Sequence, residues 1–192
     1  MRRKSGRPFR LLKDGVIALA IVVAGALITA KLDGFGEQRF TGRFAAVDGD
    51  TISHDGQRFR LIGIDAPELR QTCFRGEDVW PCGDAARDRL KSLLQSASVE
   101  CRGNSKDKYG RLLVRCSANG QDVAGGMVAA GLAVATEYFL FSREQTEAKT
   151  KGAGIWSGDF QQPRDWRREH KAADMDTPFA GMLQLFRHLV GW

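Results

Sequence analysis

Histidine is scarce in this sequence, and nothing in it is arranged for zinc. His54, His170 and His188 stand apart from one another, and none falls in a pattern that needs a catalytic role. The four cysteines form no CxxC pair and have no histidine partner, which argues against a zinc site. Internal repeats and low-complexity tracts are absent. Excess positive charge is also missing from most of the chain. Of the formal +6, Arg2, Arg3, Lys4, Arg7, Arg10 and Lys13 against Asp14 supply +5 within fourteen residues, leaving 23 basic and 22 acidic residues beyond. The basicity therefore speaks about membrane topology and not about a polyanionic substrate.

What the sequence does have begins behind that basic head. Residues 15–30, GVIALAIVVAGALITA, are an unbroken run of apolar and small residues. As a helix they span roughly 24 Å, short of the roughly 30 Å of a bilayer's hydrocarbon core. A cleaved signal peptide and an uncleaved signal anchor both fit, and the missing A-x-A after the run favours the anchor. Either way the head stays cytoplasmic and residues 32–192 are expected on the far side of the inner membrane, in the periplasm. A length of 192 residues with 43% hydrophobic content suits one domain with appendages. The expected segments are the anchor or signal at 1–31, a linker at 32–37, the domain at 38–158 and an extension at 159–192.

Cys73, Cys82, Cys101 and Cys116 all lie in the exported part, so disulfides are expected. Three connectivities are possible; nearness in sequence suggests Cys73–Cys82 and Cys101–Cys116. Three strands are expected within residues 38–64 and a further pair at 98–102 and 111–117, with turns at Gly103, Gly110 and Asn119-Gly120. Helices are expected at 84–95, at 123–131, and from a capping box at Ser142-Arg143-Glu144-Gln145 to Gly152 and Gly154. Residues 161–171 are basic with one aromatic, and 179–192 carry an apolar stripe at helical spacing.

The densest chemistry falls in residues 44–68. Two apolar-rich runs flank Asp55-Gly56, a strong hairpin signal. If these two residues form the loop, Thr51 faces Arg60 and Ile52 faces Phe59, so apolar partners share a face. Arg60 then emerges within a residue of Asp50, near Asp65 and Glu68. Hard oxygen ligands, a further acid and a guanidinium suit metal-assisted phosphoryl transfer.

Three blocks, Val47-Asp48-Gly49-Asp50-Thr51, then Arg60-Leu61-Ile62-Gly63-Ile64-Asp65-Ala66-Pro67-Glu68, then Asp107-Lys108-Tyr109-Gly110-Arg111, resemble the signature blocks of the staphylococcal nuclease (thermonuclease) family in order and spacing. The resemblance runs from about Phe40 to about Trp156. It implies an α+β fold, a five-stranded OB-type Greek-key barrel with three helices, here preceded by a hydrophobic helix. It also implies a Ca²⁺-dependent phosphodiesterase acting on single-stranded or frayed DNA and RNA, with 3′-phosphate products. By resemblance Asp50, Asp65 and the Ala66 carbonyl hold Ca²⁺, Glu68 is the general base, and Arg60 and Arg111 bind the phosphate. Lys108 and Tyr109 match positions near the nucleotide. The family commonly has threonine at the Ala66 position, so a hydroxyl contact is lost here. The stretch after Gly131-Leu132-Ala133 slips by a residue against the family pattern, with Tyr138 as the expected nucleotide-facing aromatic. A monomer is expected. The competing reading is a non-catalytic binding module at the envelope; the resemblance extends to exported rhizobial members linked to exopolysaccharide (succinoglycan) biosynthesis.

Overall fold

In a computed structural model of the chain, the residues described are 7–34, 36–95, 98–137 and 139–170. Two units separate. One holds the helix α1 (Arg7–Gly34), and the other begins at Arg39. Along α1, residues 14–30 are exposed throughout, including Val16, Ile17, Leu19, Ile21 and Val22. Among the described residues no helix is long and apolar enough to cross a membrane.

The second unit is α+β. Its strands are β1 (Gln38–Gly42), β2 (Ala45–Ala46), β3 (Thr51–His54), β4 (Gln57–Leu61), β5 (Ile64–Asp65), β6 (Cys73–Arg75) and β7 (Asp78–Trp80), followed after α2 (Cys82–Gln95) by β8 (Val99–Lys106), β9 (Leu112–Ala118) and β10 (Gln121–Asp122). Then come α3 (Val123–Ala129), β11 (Val134–Ala135), α4 (Ser142–Thr150), a 3₁₀ turn at Gly154–Ser157 and a helix, α5, running through residues 163–170. The main sheet runs β1-β8-β9-β4-β3-β2, with β10 on β9. It thus has seven strands where five were expected. Both ends of that path lie in one bent run: β1 pairs with β8, and after two residues β2 pairs with β3. Gly42, at φ 132°, makes the bend in a region open to glycine.

The hairpin forms as its turn chemistry dictates. Asp55 (φ 48°) and Gly56 (φ 80°) both take positive φ, the twist that suits a two-residue turn between strands. Thr51 pairs with Arg60 and Ile52 with Phe59, the expected register. Ile52 and Phe59 are fully buried, and the Phe59 ring meets Phe40 at 4.8 Å and Phe44 at 6.2 Å. Burying side chains of this size contributes roughly 1.5–3 kcal/mol each, which fixes the register, because a one-residue slip would turn Phe59 to solvent. The parallel pairing of β4 with β9, Arg60 opposite Leu113, then brings the third block beside the first two.

Both disulfides form, Cys73–Cys82 and Cys101–Cys116. The second bridges directly opposed residues of β8 and β9. The first joins β6 to the start of α2. That helix begins two residues earlier than the sequence suggests and buries Ala86, Leu90 and Leu94. The capping box at Ser142 does not form. Phe141 occupies the cap at φ 60° with no side-chain hydrogen bond, and the Gln145 side chain instead accepts from the Ala135 amide at 2.8 Å. A tertiary partner won over the local one.

Candidate active site

Two close approaches set the position of Asp50. The Asp48 carboxylate accepts from the amides of Asp50 (3.0 Å) and Thr51 (2.7 Å), tightening the loop between β2 and β3. Gly49 lies against Ala66 and Ala86, where an added Cβ would come within 2.6 and 2.8 Å of their methyl carbons. Only a residue without a side chain lets the loop seat there. Asp50 (4% exposed) and Asp65 (7%) are consequently buried. Asp65 is pinned from its other side by the pairing of β5 with β11, opposite Val134.

Arg60 joins the two acids. One guanidinium nitrogen donates to Asp50 Oδ1, the other to Asp65 Oδ1 at 2.8 Å and to the Ile64 carbonyl at 3.3 Å. The second Asp50 oxygen accepts from the Ala66 amide at 3.1 Å. Burial pushes the Asp50 carboxyl up to about 6 against the pull of Arg60, with Asp48 and Asp65 adding to the rise. Burial would lower Arg60, but Asp50 and Asp65 more than offset it and hold the guanidinium above its usual value. A carboxylate kept from water and only partly neutralised is a centre waiting for more positive charge.

Glu68 is half-buried, its position set by backbone contacts. Its amide donates to Gln71 Oε1 at 3.1 Å, and its carbonyl lies where a Cβ on Gly83 would fall, at 1.8 Å. The start of α2 can approach so closely because position 83 is glycine.

The third block forms the opposite rim. Asp107 accepts from the amides of Tyr109 and Arg111, both at 2.9 Å, closing the turn around Gly110. The Arg111 side chain donates to Asp107 at 2.8 Å and reaches the Thr51 hydroxyl at 3.3 Å. Thr51 Oγ1 in turn donates to Asp50 Oδ1 at 3.1 Å, so one hydroxyl links rim to acid pair. Despite slight burial, which would raise it, Asp107 is held below the usual carboxylate range by Arg111 and these amides. Tyr109 is 59% exposed, with Lys108 and Arg111 over its ring at 5.1 and 5.5 Å.

Asp48, Asp50, Arg58, Arg60, Glu68, Asp107, Lys108, Tyr109, Arg111 and Arg167 line one cleft of about 790 Å³. Asp50, Arg60, Asp65, Ala66, Glu68, Lys108, Tyr109 and Arg111 are therefore gathered in one region. Tyr138 lies outside the described residues. Arg58 is exposed and also lines the cleft. One participant carried no sequence signal beyond a basic segment: Arg167, on α5. Its guanidinium donates to both Asp65 oxygens (2.9 and 3.0 Å) and to Glu68 Oε1 at 2.5 Å.

Does the donor set suit Ca²⁺? No cluster of three or more His, Cys, Asp or Glu side chains fit to hold a metal occurs among the described residues. Two buried carboxylates beside the Ala66 backbone are present, all hard oxygen donors, with Arg60 and Arg167 as their cationic partners. That chemistry fits a calcium site completed by carbonyl and water oxygens.

Comparison with known proteins agrees with this geometry. Residues 58–158 match the family described as "Staphylococcal nuclease homologue". The chain is 33% identical over 161 residues to a protein named "Succinoglycan biosynthesis protein ExoI" of Rhizobium meliloti (strain 1021), covering 80% of this chain and 83% of that one. It is 36% identical over 137 residues to a protein described as "Uncharacterized endonuclease" of Escherichia coli O157:H7, covering 66% and 84%. With "Endonuclease YncB" of Bacillus subtilis (strain 168) it shares 34% over 127 residues, covering 58% and 59%. The chain belongs to the staphylococcal nuclease homologues, and is by family a nuclease acting on phosphodiester bonds.

Proposed function

We propose that the protein is a Ca²⁺-dependent nuclease that cleaves single-stranded or frayed DNA and RNA with little sequence preference. The observation that carries this reading is the buried Asp50–Arg60–Asp65 cluster at one cleft with Glu68 and Arg111. Asp50, Asp65 and the Ala66 carbonyl would hold the ion, which when bound supplies Lewis-acid polarisation of a phosphoryl oxygen. Glu68 takes the proton of the attacking water. Arg60 and Arg111 meet the charge that develops on the phosphate oxygens, for which planar guanidinium groups are suited. Tyr109 and Lys108 offer a stacking face and a cation to the neighbouring nucleotide. The bent run of β1 and β2 acts as one strand, so that with β3, β4, β8 and β9 the sheet serves as a five-stranded OB-type barrel.

The disulfides, the basic head and the exposed apolar face of α1 support an exported protein held at the inner membrane and facing the periplasm, or released there if the segment is cleaved. Alkaline extraction of membranes, with blotting for the intact chain, separates these two. The protein acts as a monomer. The test of the activity is cleavage of single-stranded DNA and RNA by the full-length chain in calcium and in EDTA. Retained cleavage in EDTA would overturn the metal dependence. The second reading, a binding module tied to exopolysaccharide synthesis, draws on the breadth of the match to the Rhizobium protein. Folded protein that binds nucleic acid or polysaccharide without cleaving at any calcium level would favour it.

A further inference from the structure

Arg167 arrives in the cleft by a built route. After the 3₁₀ turn, Gly158 presses on the Phe74 carbonyl, 2.4 Å from where a Cβ would stand. The Asp159 carbonyl accepts from the Phe74 amide at 2.8 Å. The Gln71 side chain, itself 1% exposed, donates to the Gln161 carbonyl at 2.6 Å while its Oε1 holds the Glu68 amide. Pro163, buried, then opens α5 at the position where a missing N–H costs nothing. One buried glutamine thus joins the backbone of the proposed general base to the segment that delivers Arg167. The segment is strapped to the site through its backbone.

That side chain occupies the oxygens a divalent cation would need. It takes both atoms of Asp65, where Arg60 already donates. A calcium ion bound there would repel the Arg167 guanidinium, which donates to both of those oxygens, more directly than Arg60, which donates to one. A guanidinium stays protonated in any protein setting, so Arg167 leaves as a cation and needs another anion. The backbone strap keeps it within the cleft lined by Arg60, Lys108 and Arg111, the cations around the phosphate position.

Resting on the nuclease reading above, we propose that Arg167 is a third phosphate-binding arginine, kept on Asp65 and Glu68 in the metal-free protein and transferred to the substrate phosphate when the cation takes Asp65. The extension is thereby part of the reaction site, and the same guanidinium neutralises the acids before loading and the substrate after it.

The test uses the full-length chain in detergent, with Arg167→Ala and Arg167→Lys, each checked for folding by thermal unfolding. Calcium titration without nucleic acid should show affinity raised about tenfold in Arg167→Ala, because a competing cation is gone. Binding of a single-stranded oligonucleotide by Arg167→Ala, measured in saturating calcium in the Glu68→Gln background at several salt concentrations, should lose one phosphate contact. The slope of log affinity on log salt should shrink by about 0.7, and Arg167→Lys should restore most of it. Cleavage by Arg167→Ala should fall on the order of tenfold. An unchanged salt slope would overturn the proposal, placing the displaced side chain elsewhere, for example on Glu137 in the adjoining hollow that both line. Faster cleavage by Arg167→Ala would also overturn it, making the residue a plug. If the wild type binds but never cleaves, the nuclease reading fails while the salt slope still decides the role of Arg167.

Discussion

On one wall of the cleft, Asp50, Asp65 and Glu68 are buried or half-buried and each is already held by a guanidinium. On the opposite rim, Lys108 and Tyr109 stand in solvent, and Arg111 is tied to Asp107 within its own turn. The wall is assembled from residues 50–68, from the entry of β3 through β4 and β5, and from the remote α5. The rim comes from five consecutive residues. The difference is one of preorganisation. Charge that must be in place when the bond breaks is fixed by packing, whereas contacts to a flexible strand stay exposed and adaptable. Thr51 is the hinge between the two, donating to Asp50 and accepting from Arg111.

Removing one arginine from each side separates them most sharply. Arg60→Ala and Arg111→Ala should each lower kcat by about 10²–10³. Arg60→Ala should also cost about 3–5 kcal/mol in urea unfolding, because two buried acids lose their shared partner. Arg111→Ala should cost little stability. Equal stability losses would erase the distinction between wall and rim.

The disulfides sharpen the comparison next. Each closes a short loop and should contribute about 3 kcal/mol. Cys73–Cys82 lies beneath the wall, where Cys82 Sγ sits 3.5 Å from the Gln71 carbonyl, and Cys101–Cys116 lies in the strands that lead to the rim. Replacing the first pair by alanine should reduce kcat beyond its effect on stability. Replacing the second should leave kcat near wild type while the protein is folded. Matching kcat losses at matched stability would contradict this.

The raised carboxyl of Asp50 gives a smaller effect with a definite sign. A carboxyl pushed from 3.8 to about 6 is protonated more readily in the folded state, so its contribution is fully present below about pH 3.8 and is lost as pH rises through 6. In EDTA, the stability of Asp50→Asn relative to wild type should therefore rise between pH 4 and 7, by on the order of 2 kcal/mol. A flat difference would mean that Arg60 already compensates the charge in full. Smallest of all, Tyr109→Ala should raise KM about fivefold with kcat unchanged, the low end of one stacked base.

Much of the wall was legible because local rules point the same way there. Asp55-Gly56 dictates a two-residue turn, the turn dictates the register, and the register puts Arg60 beside Asp50. Arg167 was not legible, because its approach depends on a buried glutamine and a glycine contact about 90 residues upstream, and neither leaves a periodic trace. The start of α4 shows the opposite failure. Ser142-Arg143-Glu144-Gln145 has capping chemistry, but Gln145 found a strand amide and Phe141 took the cap. The strand count differed for two reasons: Gly42 bends one expected strand into two, and the short β10 pairs onto β9.

The most direct measurement of the central claim is cleavage of single-stranded DNA and RNA by the full-length oxidised chain, across a calcium titration and in EDTA, beside Glu68→Gln. The account predicts degradation that rises with calcium, stops in EDTA and falls by about 10²–10⁴ in the variant. Cleavage that is indifferent to calcium, or undiminished in Glu68→Gln, would contradict it.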